Sequence, residues 1–175
     1  MLFDIGQNIV HPAHGAGTIV GIAEQELVTG YSQYYVIEFS DQRMTIHLPV
    51  ERTEEIGIRS VMTSEKYAMV LETLAKLPRK LPSDYKQRRA EVEEMVNSGA
   101  PVEVARALRE LTWQQETKPL NNADSRLMSE ARSKLVQEIA LATDQDATKI
   151  HAEIDDALAR ALAAKLQVVN SEVMH

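Results

Sequence analysis

Phe3-Asp4-Ile5-Gly6-Gln7-Asn8-Ile9-Val10-His11-Pro12-Ala13-His14-Gly15-Ala16-Gly17 reads as a strand that reaches a Pro/Gly-rich turn and re-enters a second strand. Ile9 and Val10 precede a turn carrying Pro12, Gly15 and Gly17, where glycine permits backbone angles that a side chain would forbid, and Thr18-Ile19-Val20-Gly21-Ile22 resumes a β-branched run. Further strands read at Tyr34-Tyr35-Val36-Ile37-Glu38-Phe39 and Met44-Thr45-Ile46-His47-Leu48, separated by turn-like Ser40-Asp41-Gln42, with Pro49 ending the second. Four short strands in the first fifty residues suggest a small barrel. A last strand is expected near Gly57-Ile58-Arg59-Ser60-Val61.

From Ser64 the apolar spacing becomes helical, with Tyr67, Val70, Leu71, Leu74 and Leu77 on one face. Leu77-Pro78-Arg79-Lys80-Leu81-Pro82 interrupts that helix, because each proline removes a backbone donor and disfavours helix in the residue before it. Ser83 can cap a helix through about Asn97; Gly99 and Pro101 mark a stop and a restart, and Val104, Leu108 and Leu111 continue the core face. A helix capped near Asn122 turns Leu127, Ala131, Leu135, Ile139 and Ala142 inward, and Asp144 or Asp146 starts the last, with Ile150, Ile154, Leu158 and Leu162 as its stripe. The fold class is therefore α+β, a small β-barrel followed by a compact all-α domain of about five helices. The expected division is residues 1–61, 62–167 and a frayed tail over 168–175. No heptad persists for several turns, so the stripes read as intramolecular core and the expected state is a monomer.

The 175-residue chain has no cysteine, which excludes a disulfide framework, a thiol nucleophile and a cysteine zinc site, and fits a reducing cytoplasm. No basic segment followed by an apolar run opens it, and no apolar stretch is long enough to cross a bilayer, so a soluble cytoplasmic protein without membrane partners is expected. A net charge of −7 argues against indiscriminate coating of nucleic acid, which needs many cations to displace counterions from phosphates. Any DNA contact must be local. Lys76, Arg79, Lys80, Lys86, Arg88 and Arg89 form one basic cluster with Asp84 its one acid, readable either as a solvated helix junction or as a DNA contact.

Tyr85 lies seven positions before Val92 on a similar helix face, which suits a core residue. Arg88 and Arg89, which intervene, would not line a dry core unpaired. An aromatic one turn before two arginines suits a helix start that meets DNA, the arginines holding phosphates while the ring meets an unstacked base step. Trp113, beside Leu111, reads as packing within the bundle.

His11-Pro-x-His14-Gly15-x-Gly17, the Tyr34-Tyr35-Val36 strand, Leu48-Pro49-Val50 and Gly57-Ile58-Arg59 occur in the order that resembles the CarD/CdnL family of bacterial transcription regulators, and Pro82-x-x-Tyr85-x-x-Arg88 with the later helices is similar to its C-terminal domain. The resemblance implies that the first module is the Tudor-like (SH3-like) RNA polymerase interaction domain shared with the transcription-repair coupling factor. It implies docking on the polymerase β subunit through edge strands, at the positions of Gln25, Leu27, Thr45 and His47. Relatives often carry arginine at the positions of Gln25 and His47, so those charges are missing here. It also implies a DNA contact by Tyr85, Lys86, Arg88, Arg89, Arg79 and Lys80 at the upstream edge of the transcription bubble, opposing its collapse. The family typically has tryptophan where this chain has Tyr85, so weaker wedging is expected. Binding to isolated promoter DNA should be weak unless the protein is tethered.

Two other readings compete. One is an adaptor that binds polymerase while its helical domain recruits another protein. The other is a metal hydrolase using His11, His14 and His47, since three imidazoles can hold zinc with one position open. No His-Glu-x-x-His pattern or nearby general base supports the hydrolase, and Gly15-Ala16-Gly17-Thr18 lacks the glycine spacing and lysine of a phosphate loop. No catalytic residue, metal or cofactor is therefore assigned.

Overall fold

In a computed structural model, which describes residues 2–39 and 42–173, the first sixty residues form one antiparallel sheet. Its strands are β1 (Asn8–His11), β2 (Gly15–Val28), β3 (Tyr31–Phe39), β4 (Met44–Pro49) and β5 (Arg59–Ser60), in the order β4-β3-β2-β1-β5. Ile46 and Leu48 from one edge share a core with Ile58 beside the other, and with Ile9, Ile19, Tyr35, Ile37 and Phe39 between them. The sheet thus wraps around a single apolar centre as a small open barrel. Of the turn read at Ser40-Asp41-Gln42, Ser40 and Asp41 lie outside the described residues; Gln42 donates from Nε2 to the His14 carbonyl at 2.8 Å.

Two local features shape β2. Gly15 has φ of +78°, as the turn reading requires, but Gly17 belongs to the strand, and its role is close approach: a Cβ there would lie 2.8 Å from the Glu38 carbonyl oxygen and the Phe39 ring. Between Glu24 and Val28 the register with β3 shifts, and the Tyr34 hydroxyl accepts the Val28 backbone N–H at 2.9 Å. Tyr34 and Tyr35 pair with consecutive residues Ala23 and Ile22 and so face opposite sides of the sheet, yet both are buried: Tyr35 in the sheet's core, and Tyr34 outside that core with its hydroxyl serving a donor at the interruption of the ladder.

A short helix α1 (Thr53–Ile56) and β5 lead to five longer helices: α2 (Ser64–Ala75), α3 (Tyr85–Asn97), α4 (Pro101–Thr117), α5 (Asn122–Thr143) and α6 (Ala147–Val173). Their shared core contains Val70, Leu74, Val92, Val104, Leu108, Leu111, Leu135, Ile139, Ile150 and Ile154. Trp113, on α4, is buried outside that cluster, with the Lys165 ammonium of α6 6.0 Å from its ring centroid. The Tyr67 hydroxyl donates to the Glu153 carboxylate, tying α2 to α6; burial and that bond both push the phenol's pKa up.

Several boundaries differ from the sequence reading. Leu77 is half exposed, because α2 ends at Ala75 and Pro78 keeps its predecessor out of the helix. Asp84, rather than Ser83, caps α3, and Asn121, rather than Asn122, caps α5. Asp144 closes α5 in a left-handed conformation, while Asp146 accepts the Thr148 N–H at 2.8 Å and so opens α6; these bonds lower its carboxyl pKa. The segment read as a frayed tail from residue 168 is helical through Val173, with most of its side chains exposed.

The sheet rests on α5, which packs against β1 and β2. Arg59 donates through Nη1 and Nη2 to both carboxylate oxygens of buried Glu138, at 2.6 and 2.9 Å, and through Nε to the Gly99 carbonyl at 2.8 Å. Glu138 also accepts the Met62 N–H at 2.8 Å, and Asn8 donates from Nδ2 to the Leu141 carbonyl at 3.1 Å.

Candidate nucleic-acid and polymerase interfaces

The α3 start is built by fixing an extended proline segment from both sides. Glu110 on α4, fully buried, accepts the Arg79 backbone N–H at 2.5 Å and the Arg109 Nη2 donor at 2.6 Å. Asp84 then accepts the Gln87 N–H at 2.9 Å, supplying one of the donors that a helix start leaves without a partner. Tyr85 is the first residue of the helix and 45% exposed, whereas Val92 on the same helix is fully buried, so the tyrosine is a surface residue.

The two arginines that follow have different fates. Arg88 turns inward: its side chain is only 12% exposed, Nε pairs with the buried Asp124 carboxylate at 3.0 Å, and Nη1 donates to the Pro82 and Ser83 carbonyls at 3.2 and 3.3 Å. Its guanidinium carbon lies 5.9 Å from the Tyr85 ring centroid. Arg88 therefore braces the helix start through Nε and Nη1. Its planar fork suits this task, because one side chain can serve a carboxylate and two carbonyls together. Arg89 points outward, half exposed, bonded through Nε to Glu93 at 2.8 Å and through Nη1 to the Tyr85 hydroxyl at 3.5 Å.

Among the other sequence candidates, Arg79 is 62% exposed and shared between Glu91 at 3.3 Å and Glu110 at 3.7 Å. Lys80 and Lys86 are exposed with no ion pair among the described residues. Lys76 is paired with Glu72. Arg126 on the first turns of α5 is exposed, lacks an ion pair among the described residues, and lines a cleft of mixed charge with Arg89, Glu93 and Glu130. It was missed because only the α3/α5 packing brings it to the basic cluster; no local pattern around it carries a signal.

On the sheet, Gln25, Leu27, Thr45 and His47 are all exposed. Thr45 and His47 stand on the edge strand β4, opposite Glu38 and Val36 of β3. Gln25 Nε2 lies 3.4 Å from His47 Nδ1, so residues from β2 and β4 meet across the same face. Leu27 and its neighbour Val28 are more than half exposed, beyond the Gly15–Thr18 stretch where β2 pairs with β1.

The histidines do not converge. His11 and His14 meet at the β1–β2 turn with ring centroids 4.6 Å apart and planes tilted by 47°, and His14 lies 5.6 Å from the Phe39 ring. His11 Nδ1 accepts the Ala13 N–H at 3.1 Å, and burial, then the charge of His14, lower its pKa. His47 bonds instead to Gln25. Among the described residues no three potential ligands come together at a metal-binding spacing.

With both surfaces described, the comparisons with known proteins bear on the whole chain. Residues 3–62 match the CarD-like/TRCF RID domain, and residues 69–155 match the CarD C-terminal domain. The chain belongs to the CarD family. A relative in Bacillus subtilis (strain 168), the candidate transcription factor YdeB, is 33% identical over 140 residues, which cover 79% of this chain and 90% of that protein. The sheet is thus the RID module and the bundle the CarD C-terminal module of a transcription regulator, with the Arg59–Glu138 pair joining them. Helix α6 extends past the matched residues to Val173.

Proposed function

We propose that this protein docks through the exposed face and free edge of β4 on the β subunit of RNA polymerase, and presents Tyr85 to promoter DNA at the upstream edge of the bubble, lengthening the life of the open complex. The observation that carries the reading is an aromatic side chain held 45% exposed at a braced helix start, beside the outward cations Lys86 and Arg89. Lys80, Arg79 and Arg126 extend that basic surface, while Arg88 orients the ring from beneath. Strand addition suits the sheet edge, because it uses exposed backbone groups more than particular side chains. The activity is binding without catalysis, in the cytoplasm and on the nucleoid through polymerase.

Tethering reconciles DNA contact with a net charge of −7, since docking substitutes effective concentration for intrinsic affinity. The test is the lifetime of open complexes made by the host polymerase on a ribosomal RNA promoter, challenged with competitor DNA. The protein is expected to lengthen the lifetime, and Tyr85→Ala to remove about 1–3 kcal/mol of stacking, a roughly five- to 150-fold loss of the effect, with folding stability unchanged. An unchanged lifetime despite polymerase binding overturns this reading. It would favour the adaptor alternative, which draws support from the commitment of Arg88 to Asp124 and the partial neutralisation of Arg79 and Arg89. In that case charge reversal at Lys86 and Arg89 leaves polymerase-dependent output intact.

A further inference from the structure

We infer that α5 is a positioning strut, and that the pair of part-exposed Arg59 with buried Glu138 sets the orientation of the polymerase-docking sheet relative to the Tyr85 helix start. The inference rests on the function proposed above. Near its beginning, α5 holds α3 through Asp124 and Arg88; in its middle, Lys134 donates to the Val96 carbonyl and to Asn97 Oδ1 at the far end of α3, both at 3.1 Å. Towards its end the same helix holds the sheet through Glu138 and the Leu141 carbonyl. Asp124 and Glu138 are fourteen positions apart, which is about 21 Å of helix rise and about 40° around its axis, so both clamps lie on nearly one face.

The chemistry of the second clamp suits orientation. Glu138 is almost fully buried and accepts from three donors, two on Arg59 and one on the Met62 backbone; Arg59 also reaches Gly99, in the turn between α3 and α4. A bidentate carboxylate–guanidinium pair fixes angle as well as distance, and here its carboxylate is buried while its guanidinium stays part-exposed. The clamp touches neither Tyr85 nor the β4 edge, so its loss should leave each contact intact and disturb their relation.

The experiment uses the full chain, whose lack of cysteine allows spin labels to be placed on Glu54→Cys, beside the sheet, and Glu94→Cys, on the exposed side of α3. Pulsed dipolar spectroscopy then reads the distance between the modules, while polymerase affinity and open-complex lifetime are measured in parallel. Glu138→Gln keeps the shape but loses the charge; it is expected to broaden a narrow distance distribution, leave polymerase affinity within twofold, and weaken the lifetime effect roughly tenfold as the effective concentration of the ring at its DNA site falls. A distribution as narrow as that of the parent protein overturns the inference whatever transcription does. A broadened distribution with a full lifetime effect overturns the link to function. If Glu138→Gln fails to fold, Arg59→Lys, which keeps the charge but loses the fork, gives the same decision. Should the parent protein show no lifetime effect at all, the proposed function fails, and with it the functional half of the inference, while the distances still decide the joint.

Discussion

The β4 edge and the start of α3 are both exposed surfaces, yet they are built on opposite principles. On β4, Thr45 and His47 project from an edge strand whose position is set by its ladder to β3, so under the proposed docking the backbone would present the binding groups and the side chains would be accessories. At α3, the backbone is occupied by capping and by the Arg88 brace, and what faces outward is Tyr85, Lys86 and Arg89. A surface of the first kind should tolerate substitution of its side chains, Gln25 and His47 among them. A surface of the second kind depends on individual side chains and on buried groups beneath them.

The largest break in this comparison lies under the ring. Asp124→Ala leaves the Arg88 guanidinium, only 12% exposed, without its carboxylate, and removing one partner of a buried pair costs about 3–5 kcal/mol. At this chain length each kcal/mol shifts Tm by about 2–4 °C, so calorimetry should show a fall of roughly 6–20 °C. Arg88→Met with Asp124→Leu removes both charges and should recover much of that stability without restoring the lifetime effect, because the Pro82 and Ser83 carbonyls lose their brace. Full recovery of the effect would show that Arg88 does not orient the ring.

Much of the architecture was legible because it depends on local pattern. The alternation around Ile9, Ile19 and Ile37, the period change at Ser64 and the proline stop before Tyr85 each place an element without knowledge of its partners. Where the sequence was ambiguous, distant residues decide. Arg88 and Arg89 are adjacent and identical in type, and only Asp124, thirty-six positions after Arg88, turns the first inward. Arg126 reaches the basic surface by the same α3/α5 packing, and Glu138 finds Arg59 across seventy-nine positions. Tyr34 and Tyr35 keep strict alternation and are both buried, and the hydrogen bond from the Val28 N–H to the Tyr34 hydroxyl is a contact that alternation does not encode. Leu77 is different: Pro78 already signalled that the helical stripe stopped before it.

A smaller effect sharpens the contrast from the sheet side. If backbone pairing carries polymerase docking, Thr45→Ala and His47→Ala each change the affinity by less than about 1 kcal/mol, within the range of exposed cross-strand side chains. Titration calorimetry against the polymerase β lobe reads this directly. A loss of more than tenfold for either alanine would place the sheet edge in the same class as the α3 start, with side chains as the determinants.

The smallest effect separates the two regions by pH. No histidine lies on α3, whereas His11 is partly buried on β1, and its Nδ1 is occupied as an acceptor of the Ala13 N–H. Burial first, and the neighbouring His14 charge second, lower its folded pKa below the ordinary 6.5. The unfolded chain therefore takes up a proton before the folded one does. Stability from this site is complete above about pH 6.5 and is lost as pH falls from there through the folded pKa. Urea midpoints followed by Trp113 fluorescence should drop modestly between about pH 7 and about pH 5, and His11→Gln, which keeps an acceptor for Ala13 but cannot titrate, should flatten the drop. Because His11 belongs to the sheet and packs next to the joint rather than beneath Tyr85, amide exchange should report the acid-induced loosening in β1 and β2 before it reaches the first turn of α3. Loosening that begins at Tyr85 instead would mean that the brace, and not the sheet, is the acid-sensitive part of the protein.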